Sequence, residues 1–195
     1  MNTNQPLREF LRSFPVEWTE DSLNELIDSF EEEHLNKGEH FLREGQVCRK
    51  IAFVARGCLR WYLIDDDQEK SVFFFVENTL GSDSGSFIKQ MPARCYIDAL
   101  EDSHLLTITL DKVRALSNKH IEVARCHRMV VEALLVTTEI RLMLYLRSNP
   151  EERYKGLLEN FGDLVNRVPL KHLASYLGIT PVSLSRIRAR VAASG

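Results

Sequence analysis

The sequence predicts an α+β chain that begins with a double-stranded β-roll of jelly-roll type, continues in a long helix and ends in a helix-turn-helix. Three patterns predict this fold class. Residues 38–110 hold short runs rich in β-branched and aromatic side chains, separated by glycine and aspartate. Residues 121–147 carry apolar side chains at helical spacing. Residues 169–191 hold two short helical patterns joined at a glycine.

The first segment, residues 6–35, is predicted to be helical. Leu7, Phe10 and Leu11 share one face of a first helix, and Pro15 ends it. A second helix follows, and the acidic residues 31–33 are expected to be its solvated end.

The β-rich region has short strands at regular spacing, which is typical of a barrel or roll. Glycine at strand corners supplies the positive φ that other residues adopt only at a cost. Gly38, Gly45 and Gly57 stand at such corners. The expected strands are 40–42, 50–54, 58–64, 71–76 and 105–110.

The long helix of residues 121–147 has more apolar surface than one small roll needs. Its surplus predicts a seam between two copies of the helix, formed by residues at near-heptad spacing: Val123, Cys126, Val130, Ala133 and Ile140. The alternative is a helix wholly buried inside its own subunit. Asn149-Pro150 ends the helix, and a short helix is expected over 151–161.

Composition narrows the class of protein. The 195 residues are 44% hydrophobic and 27% charged, as in an ordinary water-soluble chain, and no stretch is apolar enough to span a membrane. The first residues lack the apolar core of a signal peptide, so we expect a cytoplasmic protein. The four cysteines are widely scattered and predict neither disulfides nor a metal site; Cys126 and His127 are adjacent and point in different directions on a helix.

Charge is distributed unevenly along the chain. The net charge is −3, yet residues 164–195 carry five basic and no acidic side chains, so this segment is +5 and the remainder is −8. The C-terminal segment is therefore the part suited to a polyanionic partner.

The terminal helix-turn-helix lies within residues 169–191. Its first helix starts at proline and is expected to end at Gly178, and Thr180-Pro181 supplies an N-cap oxygen and a proline for the second. In the second helix Leu184, Ile187 and Val191 are expected to pack inward.

The outward side of the second helix is small and basic, which suits the DNA major groove. Its predicted base-reading residues are Pro181, Val182, Ser183 and Arg186. Predicted phosphate contacts orient the protein without reading sequence, and they come from Arg167, Lys171, Thr180, Arg188 and Arg190. The alternative is a plain packing hairpin.

Several motifs resemble Crp/Fnr-type transcription regulators over nearly the whole chain, particularly those of Bacteroidetes-like bacteria. The C-terminal motifs are Glu152-Arg153-Tyr154, Leu157-Leu158, Arg167-Val168-Pro169, residues 174–181 and residues 184–188. The N-terminal motifs resemble that family's cyclic-nucleotide-binding roll: Lys37-Gly38-Glu39, Glu44-Gly45, residues 57–60 and residues 99–103.

The resemblance implies an effector domain over residues 1–120, a dimerisation helix over 121–148 and a DNA-binding domain over 149–195. It implies a homodimer on a pseudo-palindromic operator of double-stranded DNA, read through the four base-reading residues, and makes RNA polymerase a further candidate partner. Val182 departs from the acidic residue often found there, so the operator sequence does not carry over. No β-wing is expected after Arg190.

The candidate ligand pocket departs from the family's pattern. The resemblance implies a Gly-Glu pair for a ribose hydroxyl and an Arg-Ser pair for a cyclic phosphate. Here Gly81 and Ser82 are followed by Asp83, which is the candidate substitute acid, and Arg94 is followed by Cys95. We therefore expect no cyclic AMP binding in the family's manner, and no other cofactor is assigned. The glycine-serine run is expected to be a flexible loop.

Two other function classes stay open. One is a small-molecule sensor whose C-terminal hairpin binds a protein partner. The other is a hydrolytic or redox enzyme, which has little support because Asp83, not serine, occupies the centre of the run from Gly81 to Gly85. Redox sensing through Cys95 or Cys126 lacks an activating neighbour in sequence. The sequence thus favours a DNA-binding regulator that is not an enzyme.

Overall fold

The computed structural model describes residues 4–194, which form two compact units. The first unit contains residues up to 61 together with 74–135, and the second contains 62–73 together with 136 onwards. The tip of one hairpin therefore belongs with the C-terminal helices, and the long helix is divided between the units. The predicted domain boundaries after residues 120 and 148 stay a prediction.

Two short helices open the chain, α1 (Gln5–Arg12) and α2 (Glu20–Asp28). Thr19 caps α2 by accepting a hydrogen bond from the Ser22 amide. The expectation of a helical end at residues 31–33 is wrong, because these residues begin strand β1 (Glu31–Leu35). The strand exists through pairing with a partner more than sixty residues away, which local pattern does not reveal.

Eight strands form two four-stranded sheets, which confirms the predicted roll. The sheet orders are β1-β8-β3-β6 and β2-β7-β4-β5. The remaining strands are β2 (His40–Leu42), β3 (Lys50–Arg56), β4 (Leu59–Asp65), β5 (Gln68–Phe75), β6 (Leu80–Gly81), β7 (Tyr96–Ala99) and β8 (Ser103–Thr109).

Helix α3 (Ser84–Lys89) occupies the glycine-serine run that was expected to be a flexible loop. Asp83 caps this helix, because its carboxylate accepts a hydrogen bond from the Ser86 amide at 3.1 Å. Helix α4 (Leu110–Lys119) follows β8 and is capped in the same way by Thr109. A short polar run can therefore be ordered by one well-placed cap.

One hydrophobic cluster of the first unit joins a sheet to its neighbouring helices. Phe53 of β3 and Leu106 of β8 pack with Leu7 of α1 and Leu23 of α2, and all four side chains are fully buried or nearly so. Burial of each such side chain contributes about 1.5–3 kcal/mol. The same cluster also takes in the first turns of α5 (Ile121–Arg147).

Helix α5 corrects part of the predicted seam. Val123 and Cys126 are each 3% exposed and belong to the core of their own unit, with Val130 packed against it. Val123 and Cys126 are therefore committed inside the protomer, whereas Val130 is half-buried and its place in a seam stays a prediction. Ala133 and Ile140 are exposed, and their role in a seam stays a prediction.

The second unit contains α6 (Pro150–Arg167), α7 (Leu170–Tyr176) and α8 (Pro181–Ser194). Asn149 and Glu152 form a capping box at the start of α6. Phe161 has non-helical backbone angles that divide α6 into two helical parts, so the break falls where the short helix over 151–161 was predicted to end, and a second helical part runs on to Arg167. No strand occurs in residues 150–194, and no helix within residues 4–194 is long and apolar enough to cross a membrane.

Candidate functional site

A tight turn joins α7 and α8, where the sequence predicts a helix-turn-helix. Gly178 has a φ of +70°, and its amide donates to the Ser175 carbonyl while the Ile179 amide donates to the Ala174 carbonyl. These bonds satisfy carbonyls at the end of α7. The positive φ favours glycine there, and a Cβ atom at residue 178 would also crowd the Tyr145 hydroxyl at 3.3 Å.

Buried side chains fix the angle between the two helices. Helices α7 and α8 pack together, and Leu173 of α7, Leu177 at its C-cap, and Leu184 and Ile187 of α8 are all buried. The predicted inward side of α8 is therefore confirmed for Leu184 and Ile187.

The N-terminal end of α8 is held by Thr180. Its hydroxyl oxygen accepts from the Ser183 amide at 3.2 Å and is 3.0 Å from the Ser183 hydroxyl. Thr180 is thus a structural cap as well as a predicted phosphate contact, and Ser183 shares its hydroxyl with that cap.

The four predicted base-reading residues lie together on the outer side of α8. Pro181 and Arg186 are exposed, Val182 is 62% exposed, and Ser183 is half-buried. Val182 and Arg186 lie opposite the buried Leu184 and Ile187, whereas Pro181 and Ser183 flank the buried side.

The predicted phosphate contacts do not form a single group. Lys171 is exposed and Arg167 and Arg188 are half-buried. Arg190 instead binds Glu151 at the start of α6, with its Nε and Nη2 atoms 3.1 and 2.8 Å from Oε2. Hydrogen bonds from Arg190 and Lys155 lower the pKa of Glu151. Arg190 therefore links α8 to α6, and any phosphate would compete with that pair.

Arg153 of α6 supports the turn and was not predicted as a site residue. Its Nη2 atom donates to the Leu177 carbonyl at 2.9 Å, and Nη1 donates to the Ser148 carbonyl. The guanidinium also lies 4.9 Å from the centre of the Tyr145 ring. Arg153 thus joins the end of α5 to the end of α7.

The tip of the β4-β5 hairpin also holds α7 within the second unit. The Ser175 hydroxyl donates to the Glu69 carbonyl and accepts from the Ser71 amide, both at 3.0 Å. The Glu69 carboxylate lies 3.8 Å from Nδ1 of His172, which is buried. Sequence spacing gave no sign of these contacts, because they join residues about a hundred positions apart.

Arg141 of α5 completes this arrangement. It donates to the Val72 carbonyl and lies 4.4 Å from the centre of the Phe73 ring and 5.0 Å from that of Tyr176. Burial lowers the pKa of its guanidinium. A single cation therefore connects α5, the hairpin and α7.

The candidate ligand pocket in the first unit is only partly brought together. Gly81 and Ser82 are buried, and a Cβ atom on Gly81 would lie 3.0 Å from the Phe75 ring. Asp83 caps α3 with Oδ1 and accepts from the Cys95 thiol with Oδ2 at 3.2 Å. Arg94 is exposed. Both Asp83 oxygens thus already accept hydrogen bonds from the protein, which weakens its candidacy as the substitute acid.

The thiols are poor redox centres. Burial, with the neighbouring Asp83 carboxylate, raises the pKa of Cys95 to about 12, and burial raises the pKa of Cys126 to about 11. Burial also raises the pKa of Cys48. Because the thiolate is the reactive form, these cysteines are protonated and unreactive near neutral pH.

A buried ion pair joins β4 and β7 in the first unit. Nε and Nη2 of Arg60 donate to the two carboxylate oxygens of Asp98 at 3.0 and 2.8 Å. The two-bond geometry offsets the cost of removing both charges from water. The sequence singles out residue 60 only as part of the motif at residues 57–60. It does not predict the ion pair, because no local pattern distinguishes a buried arginine from an exposed one.

A family model matches part of the chain. Residues 32–120 match the family model of the cyclic nucleotide-binding domain. None of the curated proteins compared with the chain matches it.

Solved structures share the fold of the chain. FixK2 from Bradyrhizobium japonicum is 18% identical with a TM-score of 0.75, over 85% of this chain and 86% of that one. The c-di-GMP-responsive global regulator CLP of Xanthomonas campestris is 14% identical with a TM-score of 0.70, over 91% and 93%. The catabolite activator protein of Thermus thermophilus is 18% identical with a TM-score of 0.57, over 92% and 86%.

The chain therefore contains a domain of the cyclic nucleotide-binding class within an α+β architecture. The resemblance to Crp/Fnr-type regulators is borne out at the level of the fold, which the chain shares with these solved regulators.

Proposed function

We propose that the chain is a DNA-binding transcription regulator of Crp/Fnr type, without enzymatic activity of its own, which acts in the cytoplasm as a homodimer. The observation that carries this proposal is the outer side of α8. Val182 and Arg186 are exposed on a helix whose other side is anchored by Leu184 and Ile187, within the basic C-terminal segment. A helix presented in this way fits the major groove.

In this proposal the base-reading residues are Pro181, Val182, Ser183 and Arg186. Arg186 donates two hydrogen bonds to a guanine, Val182 meets a thymine methyl, and Ser183 offers a hydroxyl. Lys171 and Arg188 neutralise phosphates and set the register without reading bases. Arg190 is a weaker phosphate contact, because Glu151 already binds its guanidinium.

The homodimer is proposed from the second half of α5. Residues 131–147 are exposed except for Arg141, and they include large apolar side chains such as Leu135 (68% exposed) and Leu146 (70%). Exposure of so many large apolar side chains on one helix is unfavourable in water and is typical of an interface. Pairing with a second copy removes each large side chain from water, at about 1.5–3 kcal/mol apiece.

The effector is proposed to differ from cyclic AMP bound in the usual manner. The fold is of the cyclic nucleotide-binding class, but Asp83 is committed to Ser86 and Cys95, and Cys95 stands where a serine hydroxyl is expected. A carboxylate already bound to protein donors is a poor acceptor for a ribose hydroxyl. RNA polymerase as a partner rests on the resemblance alone.

Selection of DNA from a random library by the full chain tests the proposal, followed by binding measurements on the enriched sequence. The wild-type chain should enrich an inverted repeat and bind it with strong salt dependence. Arg186→Ala should weaken binding by about 1–3 kcal/mol, roughly 5- to 150-fold. Arg12→Ala, which removes an exposed arginine of α1, is the matched control and should leave binding unchanged.

Failure to enrich any sequence, or equal binding by Arg186→Ala and the wild type, would contradict the proposal. The first outcome would favour the alternative in which the C-terminal hairpin binds a protein partner.

A further inference from the structure

The outer face of the β1-β8 pair brings two histidines and a glutamate together. His34 and His104 are directly paired across the two antiparallel strands, so their side chains leave the sheet on the same face. Glu32 precedes His34 by two residues and therefore shares that face. Leu35, on the opposite face, is buried. Glu32 and His34 are exposed and His104 is half-buried, so this end of the face is open to solvent.

The three side chains are close enough to share one ion. One ligand atom from each of Glu32, His34 and His104 lies within 4.8 Å of the other two. The imidazole rings stack with 4.4 Å between centroids and 6° between planes, and His104 Nε2 is 3.2 Å from a Glu32 oxygen. The strand pairing brings Glu32 and His104 together across 72 positions of sequence.

A cavity of about 270 Å³ adjoins the cluster. The two imidazoles line this cavity together with the carboxylate of Asp102 and the guanidinium of Arg56. One Asp102 oxygen accepts from the Lys37 amide at 2.9 Å. The space beside the imidazoles can hold water, so an ion bound there keeps an open coordination position.

We propose that Glu32, His34 and His104 form a binding site for a late first-row divalent cation, with Zn²⁺ as the representative ion. Two imidazole nitrogens and one carboxylate oxygen are a ligand set that such ions prefer, and water completes the fourth position. The parallel rings tilt on binding, since the lone pairs of two stacked imidazoles do not converge on one point. His34 is exposed, so its ring has room to move.

Such a site ties the edge strand β1 to β8 and joins two segments far apart in sequence. It goes beyond the proposed function and does not depend on it, because none of its ligands belongs to α8 or to the candidate ligand pocket. Spacing of cysteine and histidine along the sequence did not predict it, since the ligands meet only through strand pairing.

The proposal is tested by titrating the tag-free full chain with Zn²⁺ and measuring the heat of binding by calorimetry. The wild-type chain should bind one ion that is lost in His34→Ala and in His104→Ala. Loss of a residue that only supports a metal ligand typically weakens binding roughly 10–100-fold. Because Glu32 is proposed as a direct ligand, Glu32→Gln should weaken Zn²⁺ binding by at least this much. The matched control is Glu33→Gln, which makes the same charge change one residue away, where Glu33 pairs with Lys50.

Nuclear magnetic resonance provides the second measurement. The imidazole signals of His34 and His104 should move on adding Zn²⁺, whereas that of His120, which binds Glu25, should not. Circular dichroism of the alanine variants checks that the roll is folded. Binding of one ion with unchanged affinity in folded His34→Ala or His104→Ala, or unmoved signals of both histidines, would overturn the proposal.

Discussion

The two halves of helix α5 carry similar apolar patterns and meet different surroundings. In the first half, Val123 and Cys126 are buried in the core of the first unit. In the second half, residues 131–147 expose their apolar side chains and only Arg141 is partly covered. Periodicity therefore shows that a helix has apolar positions to cover, but not whether its own subunit or a second copy covers them.

The largest expected effect comes from Leu135→Asp, which places a charge in the exposed apolar half. In a homodimer this variant buries an unpaired carboxylate on each copy, which costs about 3–5 kcal/mol of association free energy. The dissociation constant of the dimer should therefore increase by more than about 100-fold. Analytical ultracentrifugation measures this, and DNA affinity should fall with it. Ile88→Asp, at an exposed apolar residue of α3, is the control. An unchanged dimer in Leu135→Asp would place the interface elsewhere.

The second prediction concerns the thiol in the buried half. Because burial raises the pKa of Cys126 to about 11, its alkylation at pH 7.5 should be about 100-fold or more slower than that of a cysteine introduced by Arg128→Cys. Peptide mapping by mass spectrometry measures both rates.

The raised pKa of Cys126 also makes the free energy of unfolding depend on pH. The folded state binds the thiol proton more tightly than the unfolded state, so the stabilisation is complete below the ordinary value of 9.0. It is lost as pH rises from there towards about 11. In the alkylation experiment, equal rates for Cys126 and for the cysteine introduced by Arg128→Cys would contradict the prediction, because they would show that the start of α5 opens readily.

A smaller effect is expected from Val123→Ala in the buried half. Removing two methyl groups from a filled core should lower the free energy of unfolding by about 1–3 kcal/mol. Urea denaturation measures the loss. Ile121→Ala, two residues earlier and 61% exposed, should stay within about 0.5 kcal/mol of the wild type. Similar losses in both variants would contradict the division of the helix.

The smallest expected effect is that of Arg141→Ala, at the one partly covered position of the second half. Loss of the hydrogen bond to Val72 and of the contacts with Phe73 and Tyr176 should destabilise the second unit by about 1–2 kcal/mol. Thermal unfolding measures this. Arg128→Ala removes an exposed arginine paired with Glu132 on the same helix and should have almost no effect. Matching losses in the two variants would mean that Arg141 contributes no more than a surface cation.

Sequence predicted the features whose causes are local. The end of α7 at Gly178 and the restart at Thr180-Pro181 follow from backbone conformation and capping, so a short window contains the whole signal. The start of α6 at Asn149-Pro150 is predictable for the same reason.

Features made by long-range contacts were missed. Strand β1 has an acidic, helix-like sequence and becomes a strand only by pairing with β8. Arg190 was expected to face DNA, but Glu151 lies 39 positions away and binds it. Two further contacts join residues far apart in sequence: the contact of Glu32 with His104, and the hydrogen bond of Ser71 in the β4-β5 hairpin with Ser175 of α7. No short window of sequence contains both partners of either contact.

The Ser175 hydroxyl has a consequence for measuring motion in the second unit. Because this one oxygen both donates to Glu69 and accepts from the amide of Ser71, that amide is shielded from solvent only while α7 and the hairpin tip stay together. The rate at which the Ser71 amide exchanges its hydrogen for deuterium therefore reports how often the helix-turn-helix separates from the strand that holds it.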